Sequence, residues 1–293
     1  MFELHKVGER TYYVEAPTNM GIYRYGEKEV CMIDGGSDSA AAREALSRIE
    51  EQGWTLKLVL NTHSHADHSG GCAYLKEQTG CEVYAPKTEA SIITSSLLNP
   101  TYLYGGYPMS ELRTKFLYMQ PCECGALSAE ILPKGIEYVM LNGHSFEMAA
   151  FKTSDDVWFI ADAVMSVETL TKYKISFLYD IAEHLRSLER LKTLEGKLFI
   201  PSHSNPLEDV TELADYNRRS VIEVADSIKE LCRGGISLDG LLEKLFQLYN
   251  IRLYLTQYAL VGCTTRSYLA WLYERNEVRP VFEGTSLTWK TVE

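Results

Sequence analysis

Four side chains able to hold a metal ion, His63, His65, Asp67 and His68, fall within six residues in the run Asn61-Thr62-His63-Ser64-His65-Ala66-Asp67-His68-Ser69-Gly70-Gly71. The whole chain has seven histidines, so three of them here is a density that a merely solvated polar turn does not call for. The run follows Leu58-Val59-Leu60, which reads as the end of a buried strand. If the backbone stays extended through His65, strand alternation sends the His63 and His65 rings to one side. Asp67 and His68 come as the chain turns and offer a second point of convergence. Gly70-Gly71 lets the backbone pass close to the cluster before a helix beginning at Cys72-Ala73-Tyr74-Leu75-Lys76.

Three further ligand-type residues each close an apolar stretch. His144 follows Tyr138-Val139-Met140-Leu141, Asp162 follows Val157-Trp158-Phe159-Ile160, and His203 follows Leu198-Phe199-Ile200. A site built at one edge of a sheet requires such an arrangement, with each strand delivering one donor at its end.

The order His-x-His-x-Asp-His, then His, Asp and His, resembles the metallo-β-lactamase superfamily of hydrolases. The resemblance covers roughly the first 205 residues, and Val30-Cys31-Met32-Ile33-Asp34-Gly35-Gly36 is similar to the family's strand and turn behind the metal loop. It implies that one metal takes His63, His65 and His144, that a second takes Asp67, His68 and His203, and that Asp162 bridges them. Asp34 then orients Thr62 or the metal loop by hydrogen bonds. Two divalent ions so held lie about 3.5–4 Å apart and share a water ionised near neutral pH, a bridging hydroxide that attacks the substrate. Asp67 is the expected catalytic proton shuttle. His and carboxylate donors suit zinc first, with iron or manganese as other occupants. Ala161 stands where many members have glycine, a change expected only to crowd the backbone slightly. The bridging carboxylate argues against antibiotic hydrolysis.

The 293 residues, 45% hydrophobic, suffice for a catalytic domain with a full core and an appendage. The expected division is a catalytic domain over 1–207 and a helical domain over 208–293. Seven scattered cysteines point to reduced thiols, and Met1-Phe2-Glu3-Leu4-His5-Lys6 has no apolar leader, so a cytoplasmic location with no membrane span is expected. Cys122-Glu123-Cys124 reads as a loop, His5 as an ordinary residue, and His184 as a surface residue of a helix.

Strands are predicted at Thr11 to Glu15, Gly21 to Tyr25, Glu29 to Ile33 and Cys81 to Ala85, with a helix from Ser39 to Gln52 capped by Asp38 or Ser37. Antiparallel runs near Gly135 to Leu141, Glu147 to Thr153 and Val157 to Ile160 suggest a second sheet, and Asp180 to Leu194 a helix. The fold class is therefore α/β (α+β), a four-layer αββα metallo-β-lactamase sandwich with helices outside. Leu98 to Cys124, with Tyr102, Tyr104 and Tyr107, reads as an irregular stretch, either a lid or substrate wall or, equally, a packed surface loop or dimer contact. Ser227 to Cys232, Ser237 to Leu248 and Thr264 to Tyr273 have helical spacing and precede a hairpin over 277–290. This tail resembles the winged-helix domain of some superfamily members.

Charge bears on partners. The chain carries 29 Lys and Arg against 40 Asp and Glu, net −11, and from Cys232 to Glu293 the balance is 7 − 6 = +1. A phosphate-backbone binder usually presents a strongly basic face. The expected substrate is accordingly a small molecule: an ester, thioester or lactone, as in the hydroxyacylglutathione hydrolase and lactonase branches. The alternative is a metal-dependent phosphodiesterase or ribonuclease whose tail contacts nucleic acid. The tail's expected roles are to shape the rim of the site or to form a homodimer.

Overall fold

The structure, a computed structural model, describes residues 2–292. A seven-stranded sheet runs in the order β1 (Glu3–Lys6), β2 (Thr11–Glu15), β3 (Met20–Arg24), β4 (Glu29–Ile33), β5 (Thr55–Leu60), β6 (Glu82–Ala85) and β7 (Gly125–Ala126). The first four strands pair antiparallel, and β4 through β7 pair parallel. A second sheet of four strands holds β8 (Ile136–Met140), β9 (Ala149–Thr153), β10 (Val157–Ala161) and β11 (Leu198–Pro201). In it β8 and β10 run antiparallel to β9, and β11 runs parallel to β10. The carboxyl ends of β8, β10 and β11 therefore share one edge.

The strands are apolar nearly throughout because both faces of each sheet are covered. In β4, Cys31 and Ile33 face the second sheet while Val30 and Met32 face helices; in β10, Val157 and Phe159 face the first sheet while Trp158 and Ile160 turn outward. The inter-sheet core joins Tyr23, Ile33 and Leu60 to Phe151, Phe159 and Ile200. Outside the first sheet pack α1 (Ser39–Glu51), α3 (Cys72–Thr79) and α4 (Lys87–Thr94), after the short α2 (Ala66–Ser69). Asp38 caps α1, its Oδ1 accepting from the backbone N–H of Ala40 and Ala41 at 3.0 Å. Four layers result, as the sequence predicts.

Next in the chain are α5 (Leu98–Tyr104), α6 (Val167–Tyr173) and α7 (Ile181–Leu191), then α8 (Thr211–Cys232), α9 (Leu238–Leu248) and α10 (Leu255–Glu274). The hairpin β12 (Val278–Glu283) and β13 (Ser286–Thr291) follows. The last three helices and Val278 form a core of their own with Ile175, Leu178 and Ile181. Among the described residues no helix is long and apolar enough to cross a membrane.

Several expectations need correction. The stretch from Leu98 is helical over its first seven residues rather than irregular. β1 was not anticipated; Glu3, His5 and Lys6 mask its apolar content, and His5 pairs with Glu15 at 3.0 Å across the strands. α8 begins 16 residues before Ser227, and its buried face of Ala214, Asn217, Val221, Val224 and Ile228 is interrupted in sequence by Asn217. That amide is satisfied internally, giving and receiving 2.9 Å bonds with the Met165 backbone. His184 is not a surface residue: it is 4% exposed, on the stripe Ile181, His184, Leu188 and Leu191 whose spacing makes it inward-facing.

The two sheets approach closely where Gly21 meets Phe159, since a Cβ at position 21 would lie 2.6 Å from the ring. Gly21→Ala is expected to lower unfolding free energy by about 1–3 kcal/mol through overpacking. Urea denaturation would register this as a lower midpoint at unchanged slope, and an unaltered midpoint would mean the sheets separate there without penalty.

Candidate metal centre

All seven sequence-predicted donors meet at the shared edge of the sheets. The ladder of β5 stops at Leu60, and the chain continues through His63 and His65 into α2, which holds Asp67 and His68. His144 lies in the turn between β8 and β9, Asp162 directly after β10, and His203 two residues past β11. Two four-residue groups form, each with donor atoms within 4.8 Å of one another: His63, His65, His144 and Asp162, and Asp67, His68, Asp162 and His203.

Asp162 belongs to both groups through different oxygens. Its Oδ2 lies 3.2 Å from His144 Nε2, while its Oδ1 lies 3.4 Å from His68 Nε2 and 3.5 Å from His203 Nε2. In the first group His65 Nδ1 stands 3.0 Å from His63 Nε2 and 2.9 Å from His144 Nε2. In the second, Asp67 Oδ2 stands 3.1 Å from His203 Nε2 and 3.6 Å from His68 Nε2.

The donor set fits divalent cations. His68 Nε2 and Asp162 Oδ1 are buried without a hydrogen-bond partner, which a protein interior tolerates poorly unless something else satisfies them. Burial holds His65 near 4 and His144 near 3 and pushes His63 well down, so these imidazoles are neutral at pH 7 with lone pairs available. Burial also opposes a proton on His68 and His203. There, however, Asp162 and Asp67 prevail, raising His68 far above its ordinary range and His203 to about 11. A carboxylate field that retains protons so firmly is one that a metal ion can occupy in their place.

The nitrogen of each histidine facing away from the centre is mostly fixed. Thr62 Oγ1 meets His63 Nδ1 at 3.0 Å, Asp34 Oδ2 meets His68 Nδ1 at 2.8 Å, and the Pro17 carbonyl meets His203 Nδ1 at 2.8 Å. Asp34 also accepts from Thr62 N–H at 2.8 Å, as expected of it. Tyr102 OH, 3.4 Å from His65 Nε2, does the same for His65; the other two tyrosines of that stretch, Tyr104 and Tyr107, are 44% and 71% exposed. Such partners set ring orientation and donor strength. His144 Nδ1 has no partner among the described residues, and neither has Nδ1 of buried His184.

One other feature, Glu89, escaped the sequence, and two, Ala161 and Gly71, act differently from the expectation. Glu89 is fully buried on α4 and ties two loops of the first group together, its Oε2 accepting from Ser64 N–H and its Oε1 from Glu147 N–H, both at 2.9 Å. Burial raises its carboxyl above the ordinary range, against the pull of those N–H groups. Ala161 does more than crowd: its φ of +50° lies in the left-handed region, beside a register shift between Phe159 and Ala161 that turns the chain to present Asp162. Gly71 lets α3 start against the turn after β4, because a Cβ there would lie 2.2 Å from the Gly35 carbonyl oxygen. The close approach is thus to that turn rather than to the metal cluster.

Two cavities open on the centre. One of about 140 Å³ reaches His65 and His144 and is walled by Leu103, Leu117, Phe116, Phe177 and Leu260, the last from α10. The other, about 300 Å³, lies beside His203 and is polar, with Glu15, Asn19 and Glu168 on its wall. Neither is lined by a Lys or Arg.

The family model described as metallo-beta-lactamase superfamily matches residues 13–203, which include every donor above. A hydroxyacylglutathione hydrolase of Rhodopseudomonas palustris (strain BisB18) is 31% identical over 131 residues, covering 44% of this chain and 42% of that protein. The chain thus spans under half the length of that curated relative. Among solved structures, a beta-lactamase domain protein from Burkholderia ambifaria has a TM-score of 0.75 at 18% identity, covering 99% of this chain and 94% of its own. A metallo-beta-lactamase family protein from Thermus thermophilus has a TM-score of 0.72 at 20% identity, covering 96% and 98%. These two likenesses establish the fold over nearly the whole chain, tail included.

In Glu89→Gln the new amide nitrogen must face a backbone N–H, which loosens one of the two loops. Zinc affinity measured by chelator competition is expected to fall by about 10–100-fold with the circular dichroism spectrum unchanged. Undiminished affinity would show that Glu89 does not position the donors.

Proposed function

The chain belongs to the metallo-β-lactamase superfamily, and from that premise we propose that it is a dinuclear metal-dependent hydrolase of a small ester, thioester or lactone. The observation that carries this reading is Asp162, whose two oxygens address two separate sets of imidazoles. His63, His65 and His144 would hold one ion, Asp67, His68 and His203 the other, with Asp162 shared. Zinc is the proposed occupant, since imidazole and carboxylate donors at these positions suit it.

Two divalent ions, when bound, polarise a carbonyl oxygen and supply a nucleophile at neutral pH. The rest falls to the chain. His68 and His203 would have to be unprotonated at Nε2 to hold an ion. Asp67, whose carboxylate is destabilised by burial but held below its ordinary range by His68 and His203, would keep one oxygen free to take a proton and pass it to the leaving atom while its Oδ2 faces the second ion. Thr18 Oγ1, 3.4 Å from that oxygen, helps fix its orientation. Leu103, Leu117 and Phe177 exclude bulk water from the side of His65 and His144.

Hydrolysis of carbonyl substrates is favoured over phosphodiester cleavage because neither cavity offers a cation to a flanking phosphate and the chain is net −11. We take residues 1–207 as the catalytic domain and 208–293 as a helical domain that shapes the rim through Leu260. Seven free cysteines favour a reducing compartment, and we place the protein in the cytoplasm.

Elemental analysis of the purified protein is expected to give two zinc equivalents, falling in His65→Ala and in Asp162→Asn. Turnover of a responsive ester, thioester or lactone should drop about a thousandfold in both, about 4 kcal/mol of barrier. A loaded protein that cleaves bis-p-nitrophenyl phosphate or RNA but no carbonyl substrate would overturn the reading.

A further inference from the structure

The polar cavity beside His203 carries negative charge that the metal centre leaves unused. Glu15 closes β2, Glu168 lies in the first turn of α6, and both reach the wall with no Lys or Arg opposite. His5, which is not on that wall, holds Glu15 through Oε2 at 3.0 Å and leaves Oε1 open, while Glu168 enters no ion pair among the described residues. Two exposed carboxylates alone would mean little. Ser202, however, is 4% exposed and lines the same cavity. Its backbone is committed, the N–H to the Ala161 carbonyl at 3.1 Å and the carbonyl to Asn19 N–H at 2.9 Å. Its hydroxyl has no partner among the described residues, yet it is not sealed off from solvent as the orphaned hydroxyls of Ser96 and Thr265 are. The little surface that Ser202 keeps faces the cavity, and an unpaired hydroxyl there is open to a ligand. Asn19 adds an acceptor rather than a donor, since its Nδ2 is spent on the Pro201 and Ser204 carbonyls at 3.0 Å each.

We propose that this cavity binds a protonated alkylamine, held between Glu15 and Glu168 with one N–H directed to Ser202 Oγ, so that the part of the substrate beside His203 carries a positive charge. Calling the amine part of a substrate rests on the hydrolase reading; the chemistry of the cavity does not. An ammonium brings three donors and no acceptor. The three groups that would receive them stand on separate elements, β2, α6 and the turn after β11, which suits donors that diverge better than the planar fork of a guanidinium, whose paired N–H groups favour a single carboxylate. An inorganic cation is disfavoured, because it needs donors that converge and Glu168 belongs to no such group. The volume of about 300 Å³ is roughly twice what accepts benzene, so the ammonium enters with several carbons attached. A phosphate or a second carboxylate would meet two like charges and no counter-charge.

Titration calorimetry of the zinc-loaded protein with 4-aminobutanoate, 6-aminohexanoate and 8-aminooctanoate tests this, each against the hydroxy acid and the diacid of equal length, since all share one carboxylate able to reach the ions. At one length or more the amino acid is expected to bind roughly tenfold tighter than its hydroxy counterpart, with the diacid no tighter than the hydroxy acid. In the double variant Glu15→Gln, Glu168→Gln, at two exposed positions, that advantage should fall to about twofold or less, and Ser202→Ala should cut it by about threefold. n-Butylammonium, which needs no ion as an anchor, should bind the unaltered protein at least about fivefold more tightly than the double variant whether or not zinc is loaded. No advantage for the amine at any length, a diacid that matches it, or an advantage that survives the double variant or Ser202→Ala would each overturn the proposal. Turnover of p-nitrophenyl and thioester hexanoates, run in parallel, separates the two readings. The expected amine preference without cleavage of any carbonyl substrate sinks the hydrolase assignment and leaves the amine site standing, while cleavage with no amine preference does the reverse.

Discussion

A carboxylate buried to 4% exposure cannot stand alone, because removing its charge from water is worth several kcal/mol that only counter-charge returns. Asp162 is in that position, and much of the molecule can be read as an answer to it. Three strand ends, one loop and one short helix bring five imidazoles and Asp67 around its two oxygens. Three of those rings stay neutral while two take up the field as protons. The division is a contest between burial and charge: burial prevails over the carboxylates at His65 and His144, whereas Asp162 and Asp67 outweigh it at His68 and His203.

Holding so many polar groups in one place demands rigidity from parts that are not themselves donors. Asp34 ties the end of β4 to Thr62 and His68, and Glu89 ties the His63–His65 segment to the loop bearing His144. Both are buried acids that accept from backbone N–H groups, the strong class of hydrogen bond. The left-handed Ala161 is strain kept in place by the core around it, since its neighbour Ile160 and its own side chain are packed in the outer cluster of the second sheet.

The clustering of these side chains was legible because they are chemically distinctive and the segments that carry them each follow an apolar run. The sandwich was legible for the same reason: strands covered on both faces read as continuous apolar segments. What escaped was whatever depends on a partner far away in sequence. Glu89 looks like one more helix carboxylate until Ser64 and Glu147 are seen at its oxygens. His184 carries its inward spacing openly, yet a titratable side chain invites a solvent reading. Tyr102 and Tyr104 differ only by position on α5, and nothing in their composition says which one turns toward His65.

The wall contributed by Leu260 lies on α10, beyond the end of the stretch shared with the superfamily model at residue 203. The other apolar walls, Leu103, Phe116, Leu117 and Phe177, lie within that stretch, so the cavity is built by both parts of the polypeptide. A substitution at Leu260 can therefore reshape one wall of the cavity while the stretch that carries the seven clustered side chains stays untouched.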